Sequence, residues 1–329
     1  MKVLLIRFSS IGDIVLTSPV LRSLKQARPE VEIHYLSKQG FKDLLIYNPY
    51  LSKLHFLDEE AKLPLQALKA EGFDYVIDLH KNLRSWRVKQ ALRCPSVSFD
   101  KQNLAKYKMV RSAKPPQQLP HIVNRYADCL AAFDVALDQK GLELFLPDGA
   151  EAAAQKRLND WGHSHPLAIV LGATYATKRW PTAKFISLIQ QYQQPVLLIG
   201  GPDAQEDAAE ILQKVKTPVF DAVGKYSLLD SAALMKQASQ VLAHDTGFMH
   251  IAAAFGQSVI SLWGNTVPEM GMTPYKTPHQ IVERKGLSCR PCSKIGYERC
   301  PKGHFKCMEE IKVETVKALL NDPSLPSVP

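Results

Sequence analysis

The sequence predicts an α/β protein of two consecutive doubly wound domains, each a parallel sheet covered by helices. Short apolar runs alternate with amphipathic segments along the chain, the rhythm of successive βα units. That rhythm restarts beyond residues 162–166. A length of 329 residues, 46% hydrophobic and 22% charged, exceeds one ordinary domain and supplies two cores.

In the first half, strands are expected at 3–8, 32–36, 53–57, 75–78 and 96–99. Helices are expected at 14–27, 63–71 and 83–92, with Pro19 in the first turn of the earliest or kinking it. Residues 101–118 hold many lysines, Arg111 and the pair Pro115-Pro116, which reads as a loop. A helix at 121–133, a strand at 143–146 and a helix at 150–161 follow. The second half repeats the pattern with strands at 167–171, 196–199, 219–221, 241–243 and 259–262. Its helices are expected at 183–192, 204–215, 228–237 and 247–255, and a last helix at 312–320 has no strand after it.

Bulk properties narrow the function classes. The apolar run in Met1-Lys2-Val3-Leu4-Leu5-Ile6-Arg7 is too short for a signal peptide and no cleavage site follows, so a cytoplasmic protein that begins on a strand is expected. No apolar stretch approaches the roughly 20 residues of a membrane-spanning helix. The net charge of +9 favours anionic partners, without choosing among nucleic acid, anionic membrane surfaces and phosphorylated small molecules. Cys94 and Cys129 are isolated and the other four cysteines fall between Cys289 and Cys307, which suits a reducing compartment and not a disulfide framework.

Ligands of open α/β sheets bind at the carboxyl ends of the strands, so the residues there are the candidates. After the first strand come Ser9, Ser10, Ile11, Gly12 and Asp13. Small residues and a helix start admit an anion or a hydroxyl, and Asp13 is the single acid of the turn, either a helix cap or a general base. After the strand at 167–171 come Thr174, Thr177, Lys178 and Arg179, a set of hydroxyls and cations suited to a diphosphate, or else an exposed basic loop. Asp221 ends another strand and either accepts from a ribose or caps its own turn. The segment Asp245-Thr246-Gly247-Phe248-Met249-His250 runs from a strand into an apolar helix. Gly247 removes bulk, the helix N-terminus supplies N–H donors, Thr246 adds a hydroxyl and His250 points back from one turn in. Asp245 has the wrong sign for phosphate and is read as orienting the loop or touching donor hydroxyls. Cys289, Cys292, Cys300 and Cys307, with His304, suit a tetrahedral zinc by ligand type, although only the Cys289–Cys292 half has a standard spacing. Free thiols or a reversible disulfide are the alternative.

These motifs together resemble glycosyltransferase family 9, the ADP-heptose:lipopolysaccharide heptosyltransferases. The resemblance rests on Val3 through Asp13, on Lys178-Arg179-Trp180-Pro181, on the Asp245-Thr246-Gly247…His250 turn and on the trailing cysteines, and it spans nearly the whole chain. It implies a GT-B fold. Residues 1–163 would form an acceptor-binding Rossmann-like domain, 164–310 a nucleotide-sugar-binding one, and 311–329 a helix and tail packing back on the first. It also implies inverting transfer without a catalytic metal or other cofactor, the donor being ADP-heptose or a similar nucleotide sugar. Asp13 matches the family's base. Ser9, Ser10, Gly12, Thr174, Lys178, Asp221, Asp245, Thr246, Gly247 and His250 fall on the donor side. The acceptor implied is the anionic lipid A–Kdo core at the inner face of the inner membrane. Lys81, Arg84 and Arg111 are candidates to meet it, although 81–84 and 101–125 are not a recognisable copy of the family's acceptor region. A monomer in peripheral contact with that membrane is expected. The rival readings are a GT-B enzyme with another nucleotide sugar or acceptor, a non-catalytic donor-binding relative, and a basic nucleic-acid binder organised by zinc. The last is disfavoured because glycine-bearing strand ends recur in both halves.

Overall fold

A computed structural model describes residues 1–58, 60, 62–111 and 117–320. The chain divides into two compact units. The first comprises Met1–Lys101 and Pro120–Phe145, and the second comprises Gln102–Leu119 and everything from Leu146 onward.

The first unit opens on β1 (Lys2–Ile6), α1 (Ile11–Val15), α2 (Ser18–Ala27), β2 (Glu32–Lys38) and β3 (Lys53–Leu57). It continues through α3 (Leu65–Ala70), β4 (Tyr75–Asp78), α4 (Leu83–Leu92) and β5 (Ser96–Ser98). All five strands are parallel, in the order β3-β2-β1-β4-β5. Val3, Leu4, Leu5 and Ile6 are fully buried, as a central strand covered on both faces requires. The single helix expected at 14–27 is two helices, because Pro19 sits in the first turn of α2 and has no N–H to continue α1.

The chain then leaves the first unit for α5 (Asn103–Arg111), where a loop was expected. Met109 and Leu119 pack with Val267 and Met270 of the second unit, Ala105 lies against them, and Leu119 N–H donates to Glu269 O at 2.8 Å. Ala105 and Met109 lie four apart on one helical face, a spacing the many lysines obscured. Pro115 and Pro116 lie outside the described residues. The expected helix at 121–133 is α6 (Ile122–Ala127) followed by a tighter 3₁₀ turn, Asp128–Phe133. The expected strand at 143–146 forms no ladder. Glu143 bonds to α2 instead, its N–H donating to Ser18 Oγ at 2.9 Å and its carboxylate pairing with Arg22 at 2.9 Å.

The second unit runs from α7 (Ala150–Trp161) and β6 (Leu167–Val170) through α8 (Thr182–Tyr192), β7 (Val196–Ile199), α9 (Gln205–Lys214) and β8 (Val219–Asp221). Then come α10 (Leu228–Lys236), β9 (Gln240–His244), α11 (Gly247–Ala254), β10 (Val259–Trp263) and β11 (His279–Glu283), an edge strand the sequence did not reveal. Two short helices, α12 (Lys306–Glu309) and α13 (Val313–Leu320), finish the described chain. The six strands are parallel, in the order β11-β10-β9-β6-β7-β8.

Helix α7 belongs to the second unit, where Ala154 and Leu158 are buried and Glu151 pairs with Lys236 of α10 at 2.6 Å. The last helix also stays in the second unit: Val313 and Val316 join its core, and α13 packs on α8. Residues 321–329 of the expected tail lie outside the described residues.

Candidate functional site

In each sheet the strand order reverses once, and the crevice outside the carboxyl ends at that point is where doubly wound folds hold ligands. The reversal lies between β6 and β9 in the second unit and between β1 and β4 in the first.

In the second unit the loop after β6 carries Lys178 and the turn after β9 carries Asp245. Lys178 Nζ donates to Asp245 Oδ2 at 2.6 Å and to the Asp245 carbonyl at 3.1 Å. Thr266 Oγ1, after β10, donates to the same Oδ2 at 2.9 Å. The acid therefore fixes the direction of a largely buried ammonium. Thr246 is the N-cap of α11 with extended backbone, and its Oγ1 is buried without a hydrogen-bond partner. Gly247 begins the helix and His250 is buried one turn in. A cation, an unpaired hydroxyl and a helix N-terminus thus share one crevice, which is what an oxyanion of a diphosphate needs.

The surroundings hold this crevice in shape. His244 Nε2 accepts the Trp180 N–H at 2.9 Å, tying β9 to the loop that bears Lys178. Burial, helped by Arg179 and Lys178 and opposed by backbone bonds at Gly172 and Leu171, brings His244 down to about 4, so the acceptor nitrogen stays unprotonated. Arg179 is used structurally, donating to the Ala173 carbonyl at 2.7 Å and to Asp203 at 2.7 Å. A Cβ at Gly172 would meet Asp203 Oδ2 at 2.9 Å, so a larger residue there would displace the carboxylate that holds Arg179. Thr174 is exposed at the loop tip. Asp221 accepts Val223 N–H at 3.0 Å and pairs with the exposed Lys225 at 2.6 Å.

In the first unit Asp13 is both a helix cap and part of a charged cluster. It stands third in α1, where its Oδ2 accepts from the Ser10 hydroxyl at 2.8 Å and pairs with Arg7 at 2.8 Å. Arg7 is almost fully buried and donates to the carbonyls of Ser9 and Leu79 at 2.7 and 2.6 Å. Burial works to lower its pKa, but Tyr126, Asp13 and Tyr35 outweigh it, and the guanidinium is held charged. Across the reversal, after β4, stands His80. Burial, then Arg7 and Lys101, bring it down to about 4, and its buried Nδ1 has no hydrogen-bond partner. Gly12 is buried in the same turn and Ser9 half-buried. Sequence reasoning missed Arg7, His80 and Thr266. Reading the residues after β4 as closely as those after β1 would have found His80.

The acceptor candidates separate. Lys81 and Arg84 are exposed on the first unit, and Arg111 is exposed on the second, its guanidinium 4.5 Å from the Tyr107 ring centre.

By ligand type the cysteine segment suits a zinc, with free thiols as the alternative. Among the described residues, the one group with three ligand-type atoms mutually within 4.8 Å is His34, His55 and Glu71, and no such set occurs among the cysteines. Cys289 Sγ and His304 Nε2 approach to 3.6 Å. Burial holds the Cys292 and Cys307 thiols up at about 11, the protonated form. The segment braces the crevice. Tyr297 exchanges bonds with Thr177, N–H to Oγ1 at 2.8 Å and back to the carbonyl at 3.0 Å, next to Lys178. At the His34 cluster, Lys2 and Lys53 both bind Glu71, leaving two ammonium groups where a cation would sit.

Two parallel doubly wound units in one chain are the architecture of GT-B glycosyltransferases, and solved structures bear this out. A glycosyltransferase of family 9 from Veillonella parvula superposes with a TM-score of 0.79 at 21% identity, covering 96% of this chain and 94% of that one. The Escherichia coli ADP-heptose LPS heptosyltransferase II does so with a TM-score of 0.74 at 20% identity, covering 98% of both. Among curated relatives, lipopolysaccharide heptosyltransferase 1 of Pseudomonas aeruginosa is 26% identical over 319 residues, 89% of this chain and 86% of its own length. The model of glycosyltransferase family 9 (heptosyltransferase) matches residues 64–301, and the chain belongs to that family. It is a glycosyltransferase.

Proposed function

We propose that the protein is an inverting, metal-independent transferase that moves a heptose from ADP-heptose to the inner core of lipopolysaccharide. The observation that carries this reading is the clamp of Lys178 by Asp245 beside the N-terminus of α11 at the crevice of the second unit. The names of the relatives in Pseudomonas aeruginosa and Escherichia coli support the sugar and the acceptor class.

The roles divide by unit. Asp13 takes the proton of an acceptor hydroxyl, and that oxygen attacks the anomeric carbon. The bond from that carbon to the diphosphate oxygen breaks, with inversion, and ADP leaves. Lys178, Thr246 and the N–H groups at Gly247 stabilise the negative charge that grows on the departing oxygen. His250 contacts the same diphosphate, Thr174 reaches it from the loop tip, and Asp221 orients the nucleoside side. Arg7 and Ser10 fix the Asp13 carboxylate, as Ser9 and Gly12 shape the turn around it. The acceptor is the anionic lipid A–Kdo core, met by Lys81, Arg84 and Arg111. The enzyme works as a cytoplasmic monomer in peripheral contact with the inner face of the inner membrane.

The test is Asp13→Asn, which keeps the volume and the contact to Ser10. ADP affinity by calorimetry should stay within about twofold while turnover falls about 10²- to 10⁴-fold. Turnover close to the parent enzyme would remove Asp13 from the reaction. A panel of nucleotide sugars scored by thermal stabilisation identifies the donor, and the reading expects the largest shift with ADP-heptose.

A further inference from the structure

We propose that the outer face of α4 is an interfacial membrane anchor, in which Leu83 and Trp86 enter an anionic bilayer surface while the flanking cations hold its headgroups. The inference rests on the lipid-borne acceptor proposed above and names the residues that bring the enzyme to it.

The helix is fixed from behind. Asn82 caps it, accepting Ser85 N–H at 3.0 Å, and Ser85 Oγ donates to the buried Asp78 at 2.8 Å. Ser85 and Val88 are fully buried, so the opposite face is set toward solvent. That face carries Leu83, Trp86, Arg87 and Gln90, at the i, i+3, i+4 and i+7 positions of one stripe. Leu83 is 73% exposed and Trp86 is 52% exposed. Side chains of this size, outward on a rigid helix, have no role in the core of the unit. Lys81, Arg84 and Arg87 flank them, Arg93 ends the helix, and no acidic residue occurs between Leu79 and Phe99.

An apolar and aromatic pair ringed by cations alone is the composition of a helix lying in a headgroup layer. A second copy of this chain is a poor occupant, because a two-fold contact would set the same arginines against each other. The same construction recurs on α5 of the second unit. Leu104 is 68% exposed and Tyr107 is 45% exposed, three residues apart, with Lys106, Lys108 and Arg111 beside them and no acid in the helix.

The experiment uses the full chain and vesicles without any acceptor. Wild type should sediment with vesicles of phosphatidylglycerol and phosphatidylcholine, and about tenfold less with phosphatidylcholine alone. The pair Leu83→Ser and Trp86→Ser should lower affinity for anionic vesicles at least tenfold, with thermal stability and ADP affinity unchanged. Arg87→Gln should weaken sedimentation and flatten its dependence on salt. On a deacylated, water-soluble acceptor the Leu83→Ser and Trp86→Ser protein should turn over as wild type does. Failure of wild type to sediment, or sedimentation of the double variant like wild type, would overturn the anchor. So would a change in oligomeric state by size exclusion with no change in sedimentation, which would make the face a protein interface. If sedimentation behaves as stated but no heptose is transferred, the anchor stands and the proposed activity fails.

Discussion

The chemistry of the second unit turns on Lys178, a cation that is placed and not merely present. An exposed lysine samples many rotamers, but this one is held at 2.6 Å by Asp245, itself held by Thr266. Its removal should therefore cost more than a surface charge. Lys178→Ala is expected to weaken ADP binding about 10- to 100-fold by calorimetry, the scale of one or two charge-assisted hydrogen bonds. Thr174→Ala, at an exposed loop tip, should change it by about threefold or less, since exposed partners exchange with water. Equal effects would mean that the clamp does not preorganise the ammonium. At this scale the sequence was informative where one turn gathers several residues, as Asp245 to His250 do. Thr266 was not legible, because its value comes from a strand end brought beside Asp245 by sheet order. Asp221 was legible as an acid at a strand end but not as one occupied by Lys225.

At the scale of elements, the segment after β11 acts as a brace. Arg290 and Glu283 form a pair at 2.6 Å with both side chains under a tenth exposed. Arg290 also donates to the carbonyls of Gly264 and Thr266, at 2.5 and 2.8 Å, which fixes the loop that supplies Thr266 to the clamp. Removing Arg290 leaves the buried Glu283 with only the exposed Lys285, at 3.7 Å, to balance its charge. Arg290→Ala should lower unfolding stability by about 3 to 5 kcal/mol in urea titrations and weaken ADP binding as the Thr266 loop loosens. A loss below about 1 kcal/mol would show that water already compensates the pair. Most strands were readable because central parallel strands are apolar throughout, as β6 and β7 are and as β1 is beyond Lys2. Strand β11 was not, since His279 and Gln280 belong to a half-buried edge. The destinations of α5, α7 and α13 were not readable either, because each has an apolar stripe that fits any complementary face.

For the whole molecule, several histidines are kept neutral, and this sets the acid limb of stability. Burial is the leading cause in each case, bringing His55, His80 and His244 down to about 4 from an ordinary 6.5. Above the ordinary value the folded and unfolded chains are both neutral, and the stabilisation is fully present. As pH falls below 6.5 the unfolded chain takes up protons that the folded chain refuses, so stability drops until the folded pKa is reached near 4. Each histidine contributes on the order of 1 to 3 kcal/mol of that loss. Trp161, Trp180 and Trp263 lie in the second unit and Trp86 in the first, so tryptophan fluorescence follows mainly the unit that contains His244. Urea unfolding followed by fluorescence should show a lower midpoint at pH 5.0 than at pH 7.5, by roughly the amount one buried histidine supplies. The variant His244→Asn cannot titrate. It should be less stable at pH 7.5, where the acceptor for Trp180 N–H is altered, yet lose about 1 to 3 kcal/mol less than wild type between the two pH values. An unchanged pH slope in that variant would mean that the acid sensitivity of the second unit arises elsewhere and that His244 is not the group that titrates.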